Sequence, residues 1–533
     1  MSALQGQGDQ SEHLSVLIAH IVQELRGTVL HSQLKRAAQF QAGKPNIHLS
    51  DLKKEVHSAL VETGWERKLR NAVYKHMVLY PQMNHPSSSG EHCKEPLSYI
   101  RKSQSNWEKR ILKSLNSMCT ELSVPLARKR PLQEQKELKM KWNELGTDEP
   151  DLSAFRPVYA PKDFLDVLMT LKNPNCNSSH ENKSMVHTWG LIQMPFKIKT
   201  MKELRDQYWE LTMTESQTGV DDLSEIAADV YETERTKLGK KVLQAGHSPL
   251  AQQFSKEGCP ATQRCDLWAQ ILGVTSDDID KLYYEQLKSY VFQHDLLVDS
   301  LIYKDIKLTA TNDDNYFVFE DYLYQALLVF SRDTHVLKHF ANSSATPAKS
   351  YIRGKLGMEE YAVVYPPNGV IPFHGFSMFV SPLCYVYHDP VRLYFIFREL
   401  YMRYFFRLHN ISSHPQGIVA LSILFESLLQ THQPQLFYHL REIGAQPLRI
   451  AFKWIMRAFS GFLASDQLLL LWDRILAYNS LEILPVLAMA IFAFRRVNLM
   501  EVTTFSAADA VMADLTGLKL VPLLQVAIFS SQR

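Results

Sequence analysis

Between Pro447 and Leu476 the apolar residues recur at helical spacing: Ile450, Trp454 and Ile455, Ala458 and Phe459, Phe462, then Leu468, Leu469, Leu471, Trp472 and Ile475. Gly461 and the triplet Ala464, Ser465, Asp466 punctuate the run. The pattern predicts two helices joined by a tight loop, with Ser465 or Asp466 as N-cap of the second. Both helices are apolar over more than one stripe, which marks interior helices of a large all-α domain. Trp454 and Trp472 are core tryptophans on this spacing. The Trp472–Asp473 pair occurs once, with no period of about forty residues and no strand pattern around it, so a propeller is excluded.

The N-terminal half carries shorter helical patterns. Leu14, Ile18, Ile21, Leu25, Val29 and Leu30 predict an amphipathic helix over 14–34. A second helix, capped by Ser50 or Asp51, runs through Leu52, Val56 and Leu60 to Gly64, and a third follows through Trp65, Leu69, Val73 and Met77. Composition makes 83–95 and 173–184 linkers. Between the linkers, Ile100, Trp107, Ile111, Leu115, Met118 and Leu122 form a helix near heptad spacing. Its heptads are too few for a coiled coil, and packing within a helical region is the preferred reading. A charged helix starts at Pro131, a short one spans Phe164 to Leu171, and Thr188 to Thr200 is a candidate strand or tether. From about residue 255 the helices become long, aromatic and closely spaced.

Composition removes several function classes. The 533 residues hold 58 Lys and Arg against 56 Asp and Glu, so no global field points to nucleic acid or an anionic membrane. Six scattered cysteines, at 93, 119, 176, 259, 265 and 384, form no CxxC pair and imply reduced thiols. The polar start, MSALQGQGDQSEH, has no signal-peptide pattern. The longest apolar run, Ile483 to Phe494, contains Pro485 and falls short of the roughly 20 residues of a membrane span. A soluble cytoplasmic protein without metal, cofactor or covalent nucleophile is expected, since GxxxxGK[ST], HExxH and GxSxG are all missing.

The stretch GCPATQRCDLWAQILG, with Gly258, Pro260, Arg264, Trp268, Leu272 and Gly273, and the later LWDRIL segment resemble the TBC-domain family of GTPase-activating proteins for Rab small GTPases. Two further landmarks follow in order. LIYKDIKLT is similar to the family's Ile-x-x-Asp-x-x-Arg-Thr motif at Ile302, Asp305 and Thr309, and VIPFHGFSMFVSPL to its Tyr-x-Gln-Gly-Met motif. The resemblance implies an all-α fold: a two-lobed multi-helix TBC (Rab-GAP) domain at 255–530, preceded by a separate N-terminal helical region at 1–250. It implies a Rab-type small GTPase as partner, with GTP and Mg belonging to that partner, and a place in vesicle trafficking. The N-terminal helices are left as a surface for another protein.

Accelerated GTP hydrolysis needs positive charge on the transferring phosphoryl group and an oriented water. In the family an arginine from the first motif and a glutamine from the second supply these. Here the arginine position is Leu308 and the glutamine position His374, with Pro372 where the family has tyrosine. Loss of an arginine finger costs about 10³ to 10⁵ in rate, so weak or absent activation is expected. Asp305, Thr309, His374 and Gly375 are the partner-binding residues that the resemblance implies. Substitute cations are few: Lys304 and Lys307 flank Asp305 and point away from residue 308 on a helix. Arg332, Lys338, Lys349, Arg353 and Lys355 lie in what reads as a polar insertion between Phe330 and Val370. Three readings follow: a Rab activator, a non-catalytic Rab-binding scaffold, or a helical assembly factor whose N-terminal half does the work.

Overall fold

The structure, a computed structural model, describes residues 26, 29–43, 48–83, 98–147, 149–171, 191, 196–212, 217–220, 228–340, 350–355 and 360–529. The N-terminal patterns become α1 (Val29–Ala42), α2 (Leu49–Glu62) and α3 (Trp65–Met83). Of the helix expected over 14–34, residues 29–34 open α1, which runs on to Ala42; the part before Val29, Arg26 apart, lies outside the described residues, as do the linkers expected at 83–95, whose Met83 ends α3, and at 173–184. His48 occupies the N-cap of α2 without a side-chain bond, so Ser50 and Asp51 fall within the first turn, where the Asp51 carboxylate faces the positive end of the helix dipole. Gly64, at φ +74°, breaks α2 from α3 as its sequence position suggests.

No residue of α2 is buried, and α3 meets the body of the protein through polar groups. The Asn71 amide donates to the Gly246 carbonyl at 2.8 Å and accepts from the Ser248 N–H at 3.0 Å, while Lys75 pairs with Glu399 at 3.3 Å. The next segment behaves differently. Helix α4 (Ser98–Leu122) buries Ile100, Trp107, Ile111, Leu115 and Met118 in the same apolar core as the C-terminal helices, so its near-heptad spacing serves internal packing. Strand β1 (Ala127–Lys129) pairs antiparallel with β2 (His294–Leu296), setting Arg128 opposite Asp295. Helix α5 (Pro161–Met169) adds Phe164, Leu165 and Leu168 to that core.

The described residues of 188–200 form no strand. Among the described residues, strands occur as the β1–β2 pair and a hairpin of β3 (Ser350–Lys355) and β4 (Glu360–Tyr365). The β1–β2 pair is a tertiary contact between distant segments, which no local pattern discloses.

The helices that carry the rest of the argument are α6 (Met201–Gln207), α7 (Arg264–Leu272), α8 (Leu297–Leu308), α9 (Glu320–Arg332), α10 (Ile418–His432), α11 (Pro447–Met456), α12 (Ser465–Tyr478), α13 (Ile483–Phe494) and α14 (Leu520–Phe529). Trp454 on α11 and Trp472 on α12 are both 1% exposed, as their spacing predicts. Helix α11 stops earlier than the pattern suggests. Ala458 and Phe459 take left-handed backbone angles, φ +48° and +65°, and the Ala458 carbonyl accepts a hydrogen bond from the Trp472 indole at 3.1 Å. The first residue of α12 is Ser465, with Ala464 at the N-cap and no side-chain cap.

Asp473 joins α12 to the opening of the C-terminal half. Its carboxylate is fully buried and accepts from Arg264 Nε and a terminal guanidinium nitrogen, both at 3.0 Å, from Trp268 Nε1 at 2.7 Å and from the Cys259 N–H at 3.0 Å. The polar insertion expected from Phe330 onward begins later than that. Arg332 ends α9 in the core and forms a bidentate pair with Asp299, because a buried guanidinium needs a counter-charge. Among the described residues no helix is long and apolar enough to cross a membrane.

Candidate functional site

Helix α8 forms around Leu301, Ile302 and Ile306, which bury one face, and it ends at Leu308. At that end the Thr309 hydroxyl donates back to the Asp305 carbonyl at 2.5 Å, and the Asn312 amide donates to the carbonyls of Lys307 and Leu308 at 3.0 and 3.2 Å. These bonds satisfy carbonyls that the helix terminus leaves open.

The loop Phe373–Phe376 is held against this helix end. Asp305 accepts from the Gly375 N–H at 2.5 Å and the Ser377 N–H at 2.7 Å, so its carboxylate caps the short 3-10 turn Phe376–Phe379 from another element. The Thr309 and Ser377 hydroxyls share a hydrogen bond at 2.7 Å. On the far side, Arg457 donates to the His374 carbonyl at 2.9 Å, and the His374 N–H donates to the Tyr159 carbonyl at 2.9 Å. Gly375 has φ +102°, and a β-carbon there would sit 2.2 Å from the Arg457 guanidinium. Only glycine suits both the angle and the space.

Asp305, Thr309 and Gly375 are therefore buried and bonded within the protein, while Leu308 is 39% exposed and the His374 side chain 32%. The expected partner-binding set divides into three residues that shape the loop and one, His374, whose side chain is partly exposed; Leu308, one residue before Thr309 at the helix end, is exposed too. Lys304 donates to the Leu152 carbonyl at 3.1 Å and Lys307 pairs with Glu320 at 2.5 Å, so both flanking lysines are engaged elsewhere. Lys338 is exposed in the short helix Thr334–His339, Arg353 and Lys355 belong to β3, and Lys349 lies outside the described residues.

Three residues of the loop's support escaped the sequence: Tyr159, Ser377 and Arg457. Tyr159 belongs to the N-terminal half, and its hydroxyl lies 3.4 Å from His409 Nδ1. Nothing local marks it, because it acts through its backbone carbonyl. Arg457 could have been suspected, being a cation in an otherwise apolar run.

Burial raises the Asp305 carboxyl, against the pull of the two N–H donors and the Arg457 charge. Burial lowers the His374 imidazole, and Arg457 adds to that effect while Asp305 opposes it. His374 is thus a neutral imidazole near pH 7, its Nδ1 at 3.9 Å from Asp305. Among the described residues no group of three or more His, Cys, Asp or Glu is placed to hold a metal ion.

The family model for the Rab-GTPase-TBC domain matches residues 373–500, a range that includes His374 and leaves Leu308 outside. TBC1 domain family member 19 of Homo sapiens is 63% identical over 522 residues, covering 98% of this chain and 99% of that protein. Among solved structures, the Chlamydomonas flagellar RabGAP TBC domain superposes with a TM-score of 0.39 at 13% identity, covering 64% of this chain and 99% of that one. The Ypt/Rab-GAP domain of Gyp1p gives 0.39 at 15%, covering 56% and 97%.

Proposed function

The chain belongs to the Rab-GTPase-TBC family, and from that premise we propose that it regulates a Rab-type small GTPase by docking it at the Leu308–His374 surface, with little or no acceleration of hydrolysis. The observation that carries this is the chemistry at that surface. Leucine cannot donate to phosphate, and a neutral histidine cannot both donate and accept on one side as an amide does. The loop beneath stays formed, because Asp305, Thr309, Gly375 and Ser377 bond to one another. A docking face that keeps its shape and lacks its two finger groups is a binding module. Through a membrane-bound Rab, such a protein would reach vesicle surfaces from the cytoplasm.

The test is single-turnover GTP hydrolysis by a panel of Rabs with the chain in excess, beside the Leu308→Arg, His374→Gln double variant. Wild type is expected to leave the rates unchanged, and the double variant to accelerate one Rab by about 10³-fold or more. Robust wild-type activation would overturn the reading. Absence of binding to every Rab in both nucleotide states would favour the helical assembly role instead.

A further inference from the structure

Away from this loop, α13 and α14 lie side by side and leave a groove of about 590 Å³ between them. One face of each helix forms a wall: Ala490, Ala493 and Phe494 from α13, and Leu523, Val526 and Ala527 from α14. The positions repeat at three- and four-residue steps, so each set is a continuous stripe. Small side chains at 490, 493 and 527 leave the space unfilled. At the rim, Phe494 and Val526 are 65% and 63% exposed. Apolar surface left open in this way marks an interaction site.

Charge and size narrow the occupant. Among the described residues no Asp or Glu lines the groove, whereas Arg205, His432 and Lys519 do. Arg205 on α6 donates through Nε to the Ile528 carbonyl at 2.6 Å, at the C-terminal end of α14. Its charge disfavours protonation of His432, second to burial, which places the two together. Lys519 precedes the opposite end of the helix. An α-helix about 10 Å across fills roughly 400 Å³ per turn, so the groove would take little more than one turn of a docked helix. It falls instead within the range of about 300–1,000 Å³ usual for small-molecule sites.

We propose that this groove binds a single-chain amphiphile with a carboxylate head, its alkyl chain lying between α13 and α14 and its head at the Arg205 end. The guanidinium keeps four further N–H donors beyond the Nε–H given to Ile528, arranged in the fork that suits a carboxylate. The alkyl chain covers the alanine stripe and shields Phe494 and Val526 from water.

The experiment is titration calorimetry of the full chain with octanoate, decanoate and dodecanoate, and with dodecylamine as the opposite charge. Saturable one-to-one binding is expected, tightening by up to about fourfold per methylene, with dodecylamine weaker by roughly tenfold or more. Ala493→Trp and Ala527→Trp each fill the groove and abolish binding. Arg205→Gln weakens it by about tenfold and Lys519→Gln by less than about twofold. Thermal melts confirm that the variants are folded. The proposal is overturned if wild type shows no saturable binding, if both folded tryptophan variants bind as wild type does, if amine and carboxylate bind alike, or if the loss follows Lys519 and not Arg205. Binding of a peptide or protein surface in the groove without the carboxylate overturns it equally.

Discussion

Two buried aspartates, Asp473 and Asp305, each tie one sequence motif to another, and they do so with different chemistry. Asp473 has a bidentate guanidinium partner in Arg264, with an indole and a backbone N–H completing its shell. Asp305 leans on two backbone N–H groups, with no arginine or lysine nitrogen within 4.0 Å among the described residues. The first hub is neutralised inside the core and fixes the scaffold. The second holds a loop whose outer side chains, Leu308 and His374, meet solvent. The contrast teaches that a buried carboxylate can set loop geometry through backbone N–H groups alone, while the side chains around it stay exposed.

The strongest way to break the comparison is at Asp473. Asp473→Ala strands the Arg264 charge in the core and is expected to cost about 3–5 kcal/mol, read as the shift of a urea unfolding midpoint. Asp473→Asn, which keeps one acceptor oxygen and removes the charge, should cost nearly as much; a much smaller cost would show that the hydrogen bonds, and not the charge pair, set the effect. Asp305→Ala orphans two buried N–H groups and is expected to cost on the order of 2–3 kcal/mol. Here Asp305→Asn should retain less than half of the stability lost in the alanine variant, since an amide offers one acceptor oxygen for two donors.

Gly375→Ala tests the loop from its other side. A left-handed alanine costs about 1–2 kcal/mol, and the Arg457 guanidinium occupies the space a methyl group needs. Adding Arg457→Ala should recover the steric part and leave the backbone part. No recovery would mean that Arg457 moves aside freely.

The smallest expected effect is in pH. Burial holds the His409 imidazole down to about 3 and His339 down to about 4. Both folded values lie below the unfolded value of 6.5, so below that pH the unfolded chain binds more protons and stability falls as the medium is acidified. Between pH 7.5 and 5.5 each histidine should cost about 1 kcal/mol. His409 touches Tyr159, which supports the His374 loop. Protection factors of the Phe376–Phe379 amides, each corrected for the slower intrinsic exchange at lower pH, should therefore fall on acidification before that of the Cys259 amide does, and a simultaneous fall would dissolve the distinction between the hubs.

Much of this was legible in the chain. The long helices of the C-terminal half announce themselves by apolar stripes too broad for a surface, and the family resemblance implies that Leu308 and His374 share one surface. Local rules failed where distant groups intervene. The pattern carries α11 on through Phe462, yet the helix ends at Met456 because the Trp472 indole and Arg457 engage the chain there. Arg332 reads as an insertion cation and is a core residue, because Asp299 lies across from it.

By itself, then, the sequence determined where the long helices of the C-terminal half run and which of their faces are apolar, since periodicity and residue type are local properties. Only the tertiary structure decided which carboxylates are structural, that Tyr159 of the N-terminal half braces the loop, and that alanines on α13 and α14 leave a groove beside three basic side chains. Those outcomes depend on what lies within a few ångströms across hundreds of residues of chain, and burial and hydrogen bonding are settled there, after the helices have packed.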